Sequence, residues 1–420
     1  VKLFLDISSA TPNPTGIGTY VHELGRRFTQ KLSSNELVLV FQSLRQSPPD
    51  WANEWQSKQG SLLRSRIPGP LLLEGWRTFK SPSLSTLLGR PSSSPSPSPW
   101  FFSPATFLPP PQHQFQLTTT IHDLSFLDPQ LNSPPRGFGI RSWLAHRTGP
   151  SYLRHAYLHH LPRVPLLFAI SKATQRQLLQ RFDQDRFPHP LPEIIVTPLG
   201  IDPFYQPSPD HQTEPEPWFV HVGGPHPRKD LPSLLEGFEK FLDQLHHQSI
   251  PLAQWPRLLL FGFPSSLLTE PCPGPTPDPE WGAAWGLPPQ LAQPHPKTAQ
   301  QVAVYGYVPK SILRLAYQKA FLLLFPSIEE GFGLPVLEAG ACGCPSLVTE
   351  TVAVAEDLPS DSRITVAVGD SHRLAQQLVD LWAQRQRRQG LATKILSATK
   401  LFSWDITVDT TLTALQRKVG

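Results

Sequence analysis

With 420 residues, 39% of them hydrophobic, the chain has enough apolar material for two domains of ordinary size. A net charge of +4 is too mild to suggest a nucleic-acid binder, which needs a concentrated basic face; it suits a protein that handles anionic small molecules or visits an anionic membrane. The cysteines Cys272, Cys342 and Cys344 form no disulfide framework, so a reducing cytoplasm is the expected location, and Cys342-Gly-Cys344 reads as small buried residues.

The opening "VKLFLDISSA" reads as a strand and not as a signal peptide. No apolar run approaches the roughly 20 residues that span a bilayer. Strand signals then follow at "ELVLVFQ", "WFFS", "LTTTIH", "LLFAIS" and "EIIVTPL", with helices between several of them, as at Tyr20 to Lys31 and Lys172 to Phe182. After the Pro-rich "QPSPDHQTEPEPW" the alternation restarts with "FVHVG", "RLLLFG", "VAVYGY", "AFLLLFP", "PSLVT" and "ITVAV", and helices run from Ser371 to about Lys418. Repeated strand–helix units imply an α/β protein with parallel sheets covered by helices. The restart predicts a domain over 1–206, a linker over 207–217 and a second domain over 218–420 that includes the terminal helices. The proline-dense stretches Pro91 to Trp100 and Pro271 to Pro296 read as mobile or extended surface loops.

Ligands of open α/β sheets sit outside the carboxyl ends of the strands, so four post-strand loops are candidates for chemistry. In "TPNPTGIGTYVHEL", Gly16 and Gly18 precede a helix expected near Tyr20 and let backbone N–H groups approach a phosphate or sugar; a G-x-G alone equally suits a tight turn. In "LTTTIHDLSF", His122 ends a strand and can point into the crevice. In "FVHVGGPHPRKDLPSLLEGF", Arg228 and Lys229 stand before a helix, as suits a diphosphate; a solvated charge pair is the plainer alternative. In "SIEEGFGLPVLEAGACGCP", Pro335 fits the first turn of a helix, and the N–H groups of Phe332, Gly333 and Leu334 point out of its end. Glu330 and Glu338, seven residues between them, can border one small site, and a carboxylate can accept two hydrogen bonds from a ribose diol. Glu329 reads as solvated.

"PSIEEGFGLPVLEAGACGCP" resembles the signature of family-4 retaining glycosyltransferases, which have the GT-B fold. "GIGTYVHEL", "TTTIHDLSF", "FAISKATQRQLLQRF", "EIIVTPLGIDPFY", "VGGPHPRKDLPSLLEGF", "VAVYGYVPKSILRLAYQKAFLLLFPS" and "FSWDI" continue the resemblance in order. It implies two Rossmann-like parallel-sheet domains facing across a cleft, with C-terminal helices. It also implies transfer of a hexose from a nucleotide-sugar to an acceptor hydroxyl, with retained configuration, no cofactor and no metal. By motif match, Lys229, helped by Arg228, neutralises the leaving diphosphate, Glu330 faces the donor sugar, and Glu338 binds the ribose. The backbone of Phe332, Gly333 and Leu334 lies along phosphate and sugar. His122 sits near the anomeric centre, Gly16 and Gly18 touch the diphosphate, and Tyr307 and Val308 line the nucleobase. Many members carry Arg where this chain has Gly224, which leaves phosphate neutralisation to Arg228 and Lys229.

The "TGIG-Y" and "PRK" features are similar to mannosyltransferases of surface-polysaccharide assembly, making GDP-mannose the first candidate donor, with a UDP-sugar as the alternative. The acceptor is expected to be a saccharide or a lipid-linked sugar. The segment Arg141 to Val164 either rests on the inner face of an anionic membrane or forms a solvated helical hairpin, the second being preferred. Three rivals stay open: a metal-dependent GT-A transferase using Asp183 and Asp185, a nucleotide-sugar epimerase of the same architecture, and a decayed, non-catalytic scaffold.

Overall fold

The computed structural model describes residues 2–10, 16–44, 46–88, 98–128, 140–188, 190–209, 215–263 and 301–418, without the side chains of 140–148. Most of both expected proline-rich loops, Cys272 and positions 210–214 of the expected linker lie outside the described residues. The chain divides into two compact units, one of Val1–Pro134, Phe138–Gly200 and Ser403–Gly420, the other built from Ile201–Phe402.

The first unit holds a seven-stranded sheet of β1 (Leu3–Asp6), β2 (Leu37–Gln42), β3 (Ser61–Ser65), β4 (Trp100–Ser103), β5 (Gln116–Ile121), β6 (Leu166–Ala169) and β7 (Glu193–Val196). Their order is β3-β2-β1-β4-β5-β6-β7, and all neighbours are parallel. Helices cover both faces of such a sheet, so its strands read as unbroken apolar runs rather than alternating ones. "LVLVF" is buried throughout, as is "LLFA". β3, "SLLRS", went unpredicted because it is a short edge strand with only Leu62 buried.

The second unit holds β8 (Trp218–Val222), β9 (Arg257–Phe261), β10 (Val302–Val304), β11 (Leu322–Phe325), β12 (Ser346–Thr349) and β13 (Ile364–Val366). They are again all parallel, in the order β10-β9-β8-β11-β12-β13. Phe219 of β8 and Leu322 and Leu324 of β11 join one core with Phe238 and Phe241 of the helix Leu231–His247 and with Leu374 and Leu378 of the helix Ser371–Ala383. In each sheet the strand order reverses once, between β1 and β4 and between β8 and β11.

Two expected boundaries are corrected. The terminal helix Trp404–Arg417 belongs with the first unit, not the second. Its Trp404 is buried beside Tyr20, Trp100 Nε1 donates to Leu415 O at 3.2 Å, and Asp405 and Asp409 pair with Arg27 (3.1 Å) and Lys31 (2.7 Å). The expected linker also starts too late: from Ile201 the chain already packs within the second unit, with Tyr205 buried against Tyr317. Finally, the expected helical hairpin over Arg141–Val164 is one helix, Ile140–His159, which runs through Pro150 into a 3₁₀ turn at Leu161–Arg163.

Candidate active site

The point where the β8/β11 order reverses is where a doubly wound sheet opens a crevice at its carboxyl edge. The loops after β8 and β11 meet there. After β8 the chain passes through Gly223 and Gly224 into a 3₁₀ turn, Pro227–Lys229, and Asp230 then caps the helix Leu231–His247 through Ser233 N–H. After β11 the loop is tied down at three points. Ile328 N–H donates to Arg228 O (2.8 Å), Ala353 N–H to Glu330 O (3.3 Å) and Val354 N–H to Phe332 O (2.8 Å). Gly333, at φ +109°, then caps the helix Leu334–Ala341. Only glycine takes that conformation without strain, and a Cβ there would lie 2.9 Å from Val352 Cγ1.

This scaffold brings the expected residues of the two loops together. Lys229 Nζ lies 2.5 Å from Glu330 Oε2, and the Arg228 guanidinium 3.6 Å from Glu330 Oε1. The Lys229 ammonium also rests 4.3 Å over the Phe325 ring, a favourable placement for a desolvated cation. Burial pulls the Lys229 pKa down, with Glu330 opposing it. Burial would raise the Glu330 carboxyl, but Lys229 and Arg228 outweigh it and hold the group below its ordinary value. Glu330 is therefore ionised at neutral pH, in direct contact with the Lys229 amine. Beneath it His221 is fully buried, bonded through Nδ1 to Leu324 O at 2.9 Å, and burial pushes its pKa down to about 4. His221 is neutral and adds no charge to the site floor.

Glu338 sits in the second turn of the helix Leu334–Ala341. Tyr317 Oη donates to its Oε2 at 3.5 Å, and burial raises its carboxyl to about 7. Phe332 is buried, whereas Tyr307 is 85% exposed and Val308 half-buried in the loop after β10. Gly224 is closely packed, since a Cβ there would stand 2.8 Å from Gly262 O. The arginine seen at that place in many relatives of the resembled family has no room on this backbone.

In the first unit, the helix starts at Gly16, earlier than the expected Tyr20, so Gly16 and Gly18 belong to its first turn. Gly16 is exposed and Gly18 buried. His122 follows β5 as expected. It is buried, donates from Nε2 to Pro104 O at 2.7 Å and packs edge-on against Tyr20. Burial lowers its pKa, leaving a neutral ring whose Nδ1 is the acceptor. Asp183 lies in the last turn of the helix Lys172–Gln184, and Asp185 caps its end, bound by Tyr157 Oη (3.0 Å) and Arg181 Nε (3.1 Å). Among the described residues, no three His, Cys, Asp or Glu side chains gather as metal ligands. Phe325, His221, Tyr205 and Tyr317 were missed by sequence reasoning, because aromatic and histidine side chains inside strands and helices look like core.

Two all-parallel sheets of this topology, with helices covering them and a helical C-terminus, define a GT-B fold. Sucrose-phosphate synthase from Thermosynechococcus elongatus has the same fold, with a TM-score of 0.67 and 18% identity, covering 100% of this chain and 99% of that one. Anabaena HepE in complex with UDP and glucose matches at a TM-score of 0.61 and 14% identity, with 99% of each chain covered. Residues 281–384 match the family model described as "Glycosyl transferases group 1". Over 417 residues, 95% of either chain, it is 24% identical to O-antigen chain mannosyltransferase B of Escherichia coli. Among the described residues, no helix is long and apolar enough to cross a membrane.

Proposed function

We propose that the protein transfers a hexose, mannose before others, from a nucleotide-sugar to a hydroxyl of a saccharide or lipid-linked acceptor, with retention of configuration and without a metal. The observation that carries this reading is the desolvated Lys229–Glu330 pair, with Arg228 beside it, at the sheet's reversal point. Sugar transfer places growing negative charge on the departing diphosphate. Fixed cations in a partly dry site stabilise that charge without reorganising. Lys229 and Arg228 supply it, and the end of the helix capped by Gly333 turns the positive end of its dipole to the same loop. Glu330 is held ionised beside the cations, where it faces the sugar. Glu338 takes the ribose, Tyr307 and Val308 the nucleobase, and Gly16 and Gly18 the diphosphate. His122 is the residue of the first unit that acts at the anomeric carbon.

The likeness to an O-antigen mannosyltransferase over 95% of either chain supports mannose and a polysaccharide acceptor, and the UDP-bound relative of the same fold keeps UDP-sugars in view. Such chemistry suits a cytoplasmic protein working at the inner face of the membrane. The test is enzyme-dependent hydrolysis and transfer across a panel including GDP-mannose and several UDP-sugars, with Lys229→Ala as control. Turnover of GDP-mannose lost in the control supports the reading. A chain that neither binds nor turns over any member is a scaffold instead.

A further inference from the structure

The segment Ile201–Gln206 is strapped along the helix Lys310–Lys319 by three side chains spaced four apart. Lys310 Nζ pairs with Asp202 Oδ2 (2.8 Å), Arg314 donates to Phe204 O (3.1 Å) and Gln318 Nε2 donates to Gln206 O (2.7 Å). The Arg314 guanidinium also lies 4.4 Å over the Phe204 ring. Residues at i, i+4 and i+8 share one helix face, so the helix acts as a rail that fixes the register of the segment. Tyr205 lies between two of these anchors. It is buried with its ring 6.1 Å from that of Tyr317, which comes from the same helix. The Tyr317 hydroxyl donates to the Glu338 carboxyl at 3.5 Å, and Tyr205, packed against Tyr317, stands close enough to that carboxyl for the two groups to influence each other's ionisation.

We infer that Tyr205 and Tyr317 are positioning residues for nucleotide recognition: their hydroxyls hold the Glu338 carboxyl toward the ribose, and the strap holds Tyr205. The inference rests on the reading above that Glu338 is the ribose ligand. A carboxylate accepts a hydrogen bond from each hydroxyl of a ribose diol, and bonds to an ionised acceptor are stronger than those to the neutral acid, so the carboxylate is the better partner. Burial works against that form and lifts Glu338 to about 7; Lys310 favours ionisation, Asp202 opposes it, and the two tyrosines favour it. The remaining neighbour is the Cys342 thiol, itself pushed up by burial and by Glu338. Both phenols are raised well above their ordinary value, chiefly by burial, and stay protonated donors. The tyrosines thus add to the carboxylate fraction set by burial, Lys310 and Asp202, and they fix where it points.

The experiment is calorimetric binding of UDP and of GDP, from mildly acidic to mildly alkaline buffer, to wild type, Glu338→Gln, Tyr205→Phe and Tyr317→Phe. Wild-type affinity should rise with pH through neutrality, and Glu338→Gln should bind weakly at every pH. Each Phe variant should lose about three- to ten-fold at neutral pH, the size of one ordinary hydrogen bond, and recover in alkaline buffer as its profile shifts upward. Gln318→Ala, which loosens the strap without touching Glu338, should shift the profile in the same direction. It carries the test should a Phe variant fail to fold. If wild type binds neither nucleotide, or Glu338→Gln binds like wild type, the ribose assignment falls. If Glu338→Gln weakens binding while the Phe and Gln318 variants leave affinity and profile unmoved, or lose affinity equally at every pH, only the positioning role falls.

Discussion

Lys229 Nζ and Glu330 Oε2 stand 2.5 Å apart although 101 residues separate them in sequence. They follow β8 and β11, neighbouring strands whose register aligns Phe219 with Leu322. The sheet itself therefore delivers the two side chains to one point. Breaking a buried pair by removing one partner leaves the other charge uncompensated, which makes each of them sensitive to substitution.

Lys229→Ala should lower transfer by about 10- to 100-fold, the loss of a charge-assisted hydrogen bond of roughly 1.5–3 kcal/mol at about 1.4 kcal/mol per decade. Steady-state kcat/KM with the proposed donor checks this, with circular dichroism as a control for folding. Wild-type rates in the variant would remove Lys229 from the phosphate site.

The two glutamates should separate by readout. Glu338→Ala should weaken binding of the free nucleoside diphosphate by about ten-fold or more, because it removes the carboxyl proposed to bond the ribose diol. Glu330→Ala should bind that nucleotide as well as wild type or better, because Lys229 loses its competing carboxylate, while turnover falls. Calorimetry beside kinetics decides it. A larger loss of affinity in Glu330→Ala than in Glu338→Ala reverses the assignment.

Stability should depend on pH through Glu338. Its carboxyl is raised by burial from the ordinary 4.5 to about 7. The folded protein therefore binds more protons than the unfolded chain between those values. Its contribution to stability is fully present below the lower value and is lost as pH rises through the upper one. Glu338→Gln cannot ionise, so its melting temperature relative to wild type should climb across that window. A difference that stays flat with pH would show that Glu338 titrates normally.

Gly224→Ala should destabilise the second unit. The new Cβ would sit 2.8 Å from Gly262 O, a backbone atom that cannot rotate away. Overpacking of this kind costs about 1–3 kcal/mol, and each kcal/mol lowers Tm by about 2–4 °C in a unit of this size. Thermal unfolding measures it. An unchanged Tm would mean that the loop yields freely and that the missing arginine has another cause.

Transfer should persist in excess chelator, and Asp183→Asn should behave like wild type. Asp185→Asn should lower stability modestly, not activity, because Tyr157 and Arg181 are its partners. Loss of transfer on chelation, restored by manganese or magnesium and mirrored in both variants, would overturn the proposed mechanism.

The sequence by itself determined what is local. Strands covered on both faces favour apolar and β-branched residues, so twelve of the thirteen described strands are legible as short runs of these types. The glycine-then-proline start of the helix Leu334–Ala341, and the two glutamates flanking it, are likewise visible because a helix end has its own residue chemistry. β3 escaped because an edge strand of five residues, with one side chain buried, carries little pattern. Tertiary structure alone decided which unit receives the helix Trp404–Arg417. An amphipathic stripe announces that a helix must be covered, but not by which surface. The complementary Arg27, Lys31 and Trp100 lie more than 300 residues away. The same holds for Tyr205 and Tyr317: a buried aromatic side chain is first of all core, and only the Tyr317 hydroxyl's contact with Glu338 and the packing of Tyr205 beside it distinguish them.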